Sequence, residues 1–200
     1  MRHLHRTVVI GLLALFLGGC LVGGASEGPT STPPASLAPE GAPPSAEPVP
    51  SADLEPFGCD LPMHEDATVA RANITDVRIG THADYDRVVF EFANGLPEMT
   101  LDRAEPPFTQ DASGMPIEVD GSSFLRLTMR GGTKQTEEGT SSYDGRTNFE
   151  PGFPALVHLV EGGDFEAQST WYFGLRSEAC VRVLTLTKDG APRLVIDVEH

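Results

Sequence analysis

The 200-residue chain has few basic residues, because 14 Lys and Arg stand against 29 Asp and Glu. Two of the basic residues and none of the acidic ones precede Cys20, so the chain after Cys20 carries a net charge of −17. Nucleic acids, anionic lipid surfaces and acidic wall polymers attract proteins through positive charge. The charge balance therefore argues against all three as electrostatic partners.

Long apolar runs are also lacking. The most apolar stretch, Val8–Leu17, has about ten residues, whereas a helix that spans a bilayer needs about twenty. The stretch follows Arg2 and Arg6, and this arrangement is typical of a secretory signal peptide. A longer span would have to include the glycines that follow the run, and glycine weakens a helix. We therefore predict a cleavable signal peptide over residues 1–20.

The quartet LGGC at residues 17–20 resembles the lipobox of bacterial lipoproteins. The resemblance implies that Cys20 receives a diacylglyceryl group, with acyl chains such as palmitate, and becomes the mature N-terminus. Two or three acyl chains anchor a protein stably, whereas one does not. Cys20 is thus the expected lipidation site, and we expect the protein at the cell membrane, lipid-anchored on the extracytoplasmic face.

Residues 21–56 contain nine prolines but no aromatic residue and no Lys or Arg. A segment of this composition cannot build a core. We predict a disordered Pro-rich linker over residues 21–58, semi-extended at about 3.1 Å per residue. It would hold a single domain, residues 59–200, away from the membrane.

Only three cysteines are present. With Cys20 lipidated, Cys59 and Cys180 remain, and an even pair in an exported protein predicts a disulfide. Two buried free thiols are the alternative. Closing a loop of about 120 residues would stabilise the fold by about 4 to 5 kcal/mol in the chain-entropy model.

From residue 74 onward, apolar residues alternate with polar ones, and turn residues separate the runs. No segment has a convincing helical period. The pattern predicts an all-β domain, an antiparallel sandwich or barrel-like fold with about nine short strands. The runs are ITDVRIG, DRVVFEF, MTLDRA, PIEV, FLRLTMR, ALVHLVE, STWYFGL, VRVLTLT and RLVIDVE. The side chains expected to face the core include Val77, Ile79, Val88, Phe90, Phe92, Leu125, Leu127 and Met129.

One polar segment, residues 131–153, is too long for a plain strand connection. Connections of this length are usually functional or disordered. Tyr143 and Phe149 are either contact residues at its tip or side chains that hold it against the domain, and both interpretations stay open.

Four motifs in order resemble the AMIN-like domain of actinobacterial lipoproteins. They are DYDRVVFEF (84–92), FLRLTMR (124–130), DFEAQSTWYFGL (164–175) and PRLVIDVEH (192–200). The resemblance covers roughly residues 70–200 and implies a β-sandwich module without catalytic activity. AMIN domains help to localise envelope proteins, in some cases by binding peptidoglycan. The resemblance therefore implies a cell-envelope binding module, and we expect it to act without an amidase domain of its own.

No residue set predicts catalysis, a metal site or a cofactor. GTSSY at 139–143 falls short of the GxSxG nucleophile motif, and His64 lacks the second histidine of a zinc HExxH helix. Asp84 and Asp86 flank Tyr85 in a predicted hairpin loop, where turn chemistry accounts for them better than a calcium site does.

A ligand site has to be inferred from side-chain chemistry. Trp171 and Tyr172 are neighbours on a strand and point to opposite faces, so one ring is expected to be exposed and able to pack against a sugar. Arg87, Arg126 and Asp197 are expected on solvent-facing positions as polar contacts. The alternatives are a core tryptophan and a cross-strand charge network.

These observations predict a lipid-anchored, non-catalytic module that binds peptidoglycan or another wall glycan. A protein-interaction scaffold for an envelope complex is the alternative, and a secreted hydrolase has the least support. The predicted partners are the membrane, through the lipid anchor, and a wall glycan or envelope protein. Nucleic acid is not among them.

Overall fold

A computed structural model describes residues 54–200. The predicted signal peptide, Cys20 and most of the predicted linker lie outside these residues. The described chain forms thirteen β-strands and no helix, so the all-β prediction is confirmed. Within it, no helix is long and apolar enough to cross a bilayer. The strands are β1 (Met63–Glu65), β2 (Ala72–Thr81), β3 (Tyr85–Phe92), β4 (Glu98–Ala104), β5 (Phe108–Thr109), β6 (Pro116–Ile117), β7 (Ser123–Arg130), β8 (Gly132–Thr133), β9 (Asn148–Phe149), β10 (Leu156–Phe165), β11 (Gln168–Leu175), β12 (Val181–Lys188) and β13 (Ala191–Glu199).

Each of the nine predicted runs lies on a strand. The four strands that the pattern did not predict are β1, β5, β8 and β9, which have two or three residues each. An alternation of apolar and polar residues cannot be recognised over so few positions. The count of about nine strands therefore covers the regular strands and the short β6, and misses the other four short strands.

The strands form two principal sheets. Six strands pair antiparallel in the order β1-β4-β7-β11-β10-β9. The second sheet has the order β12-β13-β3-β2-β8 and curls like half of a barrel, with a parallel pair only between β2 and β8. The strands β5 and β6 form a separate hairpin, which we call the arm (residues 108–117).

The core lies between the two sheets. At its centre the Trp171 ring meets the Phe90 ring edge-on, with centroids 5.2 Å apart. All eight side chains predicted to face the core are buried there, which confirms the face assignment of β2, β3 and β7. Alternation fixes these faces because successive side chains of a strand point to opposite sides.

Cys59 and Cys180 form the predicted disulfide. It joins the start of the described chain to the residue before β12, and Gly58 bridges to Val181 beside it. Residues 54–58, which we call the strap, lead into this disulfide across the outer face of the five-stranded sheet. There Leu54 packs on an apolar cluster of Val89, Leu184 and Val195.

The sandwich has two ends, set by where the strands turn. The disulfide end carries Cys59–Cys180, the turn at residues 82–84 and the connection 176–180. The loop end carries the turns at 93–97 and 166–167 and the long segment 131–147. Strand β10 runs from the disulfide end to the loop end, a distance of about 30 Å at about 3.3 Å per residue.

Candidate functional site

The structure buries both aromatic residues of the predicted site. Trp171 has no exposed surface and belongs to the core, and Tyr172 is 7% exposed. The arm covers Tyr172, because the Phe108 ring lies 4.8 Å from its ring centroid. Burial raises the pKa of Tyr172, and the charge of Asp111 on the arm adds to the rise. The expectation that one of the two rings is exposed is therefore wrong, and neither offers a face to a sugar.

Arg87 and Asp197 are also buried, at 1% and 0% exposure, which corrects the expectation that they face solvent. Arg87 donates from Nε and Nη2 to the two carboxylate oxygens of Asp197, at 2.6 and 2.8 Å. Arg182 donates two further hydrogen bonds to Asp197 Oδ2, at 3.0 and 2.6 Å. Two cations thus share one buried carboxylate on the outer face of the five-stranded sheet.

The strap and the start of β3 explain why this outer face is not solvated. The Arg182 guanidinium lies 4.4 Å from the Phe57 ring centroid and 5.2 Å from that of Tyr85. It also donates to the backbone carbonyl of Glu55 at 3.3 Å. Aromatic rings and backbone thus replace water around the charges. Burial lowers the pKa of His82, which stacks on Tyr85, and the nearby Arg87 charge lowers it further.

Arg126 is the one predicted contact that remains on the surface. It lies on the outer face of the six-stranded sheet, between Asp102 on β4 and Tyr172 on β11. Its Nη2 donates to Asp102 Oδ2 at 2.8 Å, and the two side chains are 46% and 27% exposed. The hydrogen bond to Asp102 raises the pKa of Arg126.

Toward the loop end, the arm leaves this face uncovered. We call the uncovered part the open face. One row across the strands places Thr100, Thr128 and Thr170 opposite one another, with neighbouring strands about 4.8 Å apart. Thr100 and Thr128 are half-buried, and Thr170 is buried. The members of the open face are Glu98, Thr100, Asp102, Arg126, Thr128, Arg130, Phe165 and Gln168.

The last row of the open face ends in an exposed aromatic ring. It runs from Glu98 through Arg130 and Gln168 to Phe165, and Phe165 is 53% exposed. Arg130 Nη1 lies 3.6 Å from Glu98 Oε1. The face therefore combines an apolar ring with hydroxyl, amide, guanidinium and carboxylate groups on one regular sheet.

A family model for the AMIN-like domain matches residues 72–200, well over half of the chain. The chain belongs to the AMIN-like domain family. This confirms the family that the four motifs resemble. No curated protein and no solved structure matches the chain. The match begins at β2, so the strap, Cys59 and β1 precede the part that defines the AMIN-like domain.

Sequence reasoning missed Phe165, although it lies within one of the four motifs of the AMIN-like domain. Glu166 and Ala167 after it both have positive φ, at 52° and 59°, and form the two-residue turn between β10 and β11. Neither residue is the glycine or asparagine that is usual in such turns, so the sequence does not predict this hairpin. The alternation of β11 would have placed Phe165 on the Tyr172 face once the hairpin was known.

The long segment of the AMIN-like domain folds against the body of the sandwich. Gln135 bridges to Ser141, so residues 134–142 form a small hairpin, and Asn73 Nδ2 donates to the Gln135 carbonyl at 2.7 Å. Phe149 is buried in the core and Tyr143 packs partly against it. The two aromatic residues thus hold the segment down. Burial raises the pKa of Tyr143 to about 12, with further contributions from nearby carboxylates.

The residues weighed for metal or catalytic chemistry lie apart. Among residues 54–200, no group of three or more His, Cys, Asp or Glu side chains is placed to hold a metal ion. His158 accepts from the Asp120 amide at 3.0 Å, and its other ring nitrogen lies 3.0 Å from Asn148 Oδ1. Asp86 lies on β3 and not in the hairpin loop, and it accepts from the distant backbone amides of Ala155 and Leu156, so the expectation of turn chemistry is wrong for it.

Proposed function

We propose that this AMIN-like protein is a lipid-anchored, extracytoplasmic module that binds a wall glycan through its open face. Cys20 carries the lipid, and the linker tethers the domain. The module acts by binding and not by catalysis, because its sequence contains no complete catalytic motif.

The exposed Phe165 ring at the edge of a polar sheet face is the observation that carries this proposal. Sugars present apolar C–H faces and a periphery of hydroxyl groups, so a glycan site needs an accessible ring beside hydrogen-bonding side chains. Gln168 and Arg130 supply such groups in the same row. The hydroxyls of Thr100 and Thr128 and the Arg126–Asp102 pair lie in the next rows.

The position of the open face suits a tethered protein. The described chain starts in the strap, where Leu54 packs over the middle of the outer face of the five-stranded sheet, whereas the open face lies on the outer face of the six-stranded sheet, on the opposite side of the sandwich. A linker that joins the domain on one side leaves the opposite side free to meet wall material. A semi-extended linker adds about 3.1 Å of reach per residue.

The test is co-sedimentation of the purified full-length protein with wall glycan strands from which the peptides have been removed. We expect the Phe165→Ala variant to lose binding by about tenfold or more, and Arg126→Ala to weaken it. Met115→Ala is the matched control, because Met115 is a similarly exposed apolar side chain on the arm, at 56%. It should bind like the wild type.

Retained binding in Phe165→Ala would contradict the proposed site. If the wild type ignores wall glycan and instead forms crosslinks from position 165 to one envelope protein in cells, the scaffold function replaces the glycan function. The lipid anchor is tested separately by mass spectrometry of the mature N-terminus, where we expect a diacylated Cys20.

A further inference from the structure

A cleft of about 590 Å³ opens at the disulfide end, away from the open face. The disulfide forms part of its wall together with small apolar residues, and charged side chains stand around it. Its lining includes Cys59, Cys180, Arg103, Ala155, Glu178 and His200. A cleft of this size, with apolar walls and a few polar groups, has the general form of a small-molecule site.

Arg103 places a guanidinium group at this cleft, and only one of its two terminal nitrogens has a partner among the described residues. It lies on the inner side of β4 at the end of the strand, and its Nη2 pairs with Glu178 Oε1 at 2.7 Å. Glu178 is 74% exposed, so a ligand can displace it at little cost. The other terminal nitrogen, Nη1, is buried and has no hydrogen-bond partner among the described residues.

Asp86 supplies a complementary acceptor. It is fully buried, and its Oδ2 accepts from the amides of Ala155 and Leu156 at 2.7 and 2.8 Å. Its Oδ1 has no hydrogen-bond partner among the described residues, and His200 Nε2 lies 3.5 Å from it. Ala155 and His200 both line the cleft, so Asp86 lies directly behind its wall.

We propose that this cleft binds a free α-amino-acid group, with the ammonium meeting Asp86 and the carboxylate meeting Arg103. Buried polar atoms without partners are costly, and such a group satisfies one donor and one acceptor at once. The guanidinium fork suits a carboxylate, which takes the place of the exposed Glu178 side chain. The ammonium group takes the place of the His200 ring.

The charges around the cleft distinguish this ligand from a simple anion. Glu178 and Glu199 stand at the cleft with Asp86 behind it, against the one guanidinium of Arg103. A lone carboxylate would be repelled by these three acidic groups. A ligand that carries both charged groups on one carbon atom meets attraction at each position.

A ligand with a free α-amino-acid group can come from two sources. One is a free amino acid, and the other is a wall peptide that has such a group at its end or on a branch. The inference does not rest on glycan binding, because its residues lie at the opposite end of the domain from Phe165. The probes are therefore alanine, acetate, ethylamine and a soluble wall peptide fragment with a free amino-acid group, each titrated into the full-length protein by calorimetry.

We expect alanine or the wall peptide fragment to bind, and acetate and ethylamine to bind at least about tenfold more weakly. The Arg103→Gln variant should lose about tenfold or more in affinity for the bound zwitterion. Arg146→Gln, at an exposed arginine of the long segment at the loop end, is the matched control and should bind normally. His200→Ala should bind at least as tightly as the wild type, because the ring that occupies the ammonium position is gone.

Amide NMR spectra of the wild type provide a second measurement that needs no variant. The ligand should shift the amides of Ala155 and Leu156, which donate to Asp86. Binding of alanine but not of the fragment identifies a free amino acid as the ligand, and the reverse identifies wall peptide. Equal affinity for acetate and alanine, or no binding of either zwitterion by the wild type and by His200→Ala, would overturn the proposal. Neither result would affect the glycan experiment, whose strands carry no peptide.

Discussion

Replacement of Asp197 by asparagine tests the account of the buried charge cluster. The side chain keeps its shape in Asp197→Asn, but the carboxylate that compensates Arg87 and Arg182 is lost. Asp197 accepts four hydrogen bonds from the two guanidinium groups and has no exposed surface. Breaking a buried ion pair on one side costs about 3 to 5 kcal/mol, because it leaves a buried charge uncompensated. The free energy of unfolding of a domain is usually about 5 to 15 kcal/mol, so this loss would be a large part of it.

The matched control is Asp102→Asn, which removes an aspartate of the same cross-strand geometry from the exposed Arg126 pair. Exposed pairs contribute about 0 to 1 kcal/mol, so this variant should be close to the wild type. Urea unfolding followed by circular dichroism gives both free energies of unfolding. The reasoning is refuted if Asp197→Asn loses no more than Asp102→Asn does, since the cluster would then be solvated.

Three further predictions concern stability and titration. The variant in which Cys59 and Cys180 are both serine should lose about 4 to 5 kcal/mol in urea unfolding, and a loss below about 1 kcal/mol would show that the cross-link constrains the unfolded chain little. Trp171→Ala should cost about 3 to 5 kcal/mol because it empties the centre of the core, whereas a surface change such as Phe165→Ala should stay within about 0.5 kcal/mol. In alkaline ultraviolet titration, one tyrosine should ionise near pH 12, and Tyr143→Phe should remove that step. The unfolded chain releases this proton near the ordinary tyrosine pKa of about 10, so the free energy of unfolding should fall as pH rises from about 10 to about 12. A Tyr143→Phe variant whose free energy of unfolding falls equally over that range would contradict the assignment.

The regular strands could be predicted from the sequence because they lie at the surface on one side and in the core on the other. In β2 and β7 the alternation of apolar and polar residues reports that arrangement directly, and Val77, Ile79 and Leu127 are buried as predicted. The same reasoning failed in β3 and β13, whose polar positions include Arg87 and Asp197. These strands are central in their sheet and are covered outside by the strap. A charged residue on a strand says nothing about whether a distant segment lies over it.

The open face could be predicted only in part, for a related reason. Arg126 was assigned to the outer face by alternation alone, and the structure places it there. Tyr172 shares that face, but the arm covers it, and the two-residue strand β5, whose Phe108 makes the contact, leaves no periodic signal. Phe165 was missed because its exposure depends on the hairpin turn beside it. Which rings are accessible is thus decided by short elements that local patterns do not predict.

The most direct test of the central claim is a map of amide NMR shifts on adding peptide-free wall glycan to the full-length protein. The account predicts that the amides of Thr128, Arg130 and Gln168 shift together with that of Phe165, while those of β12 stay in place. Shifts confined to the five-stranded sheet, or a spectrum that the glycan leaves unchanged, would contradict the assignment of the open face as the site where this domain meets the envelope.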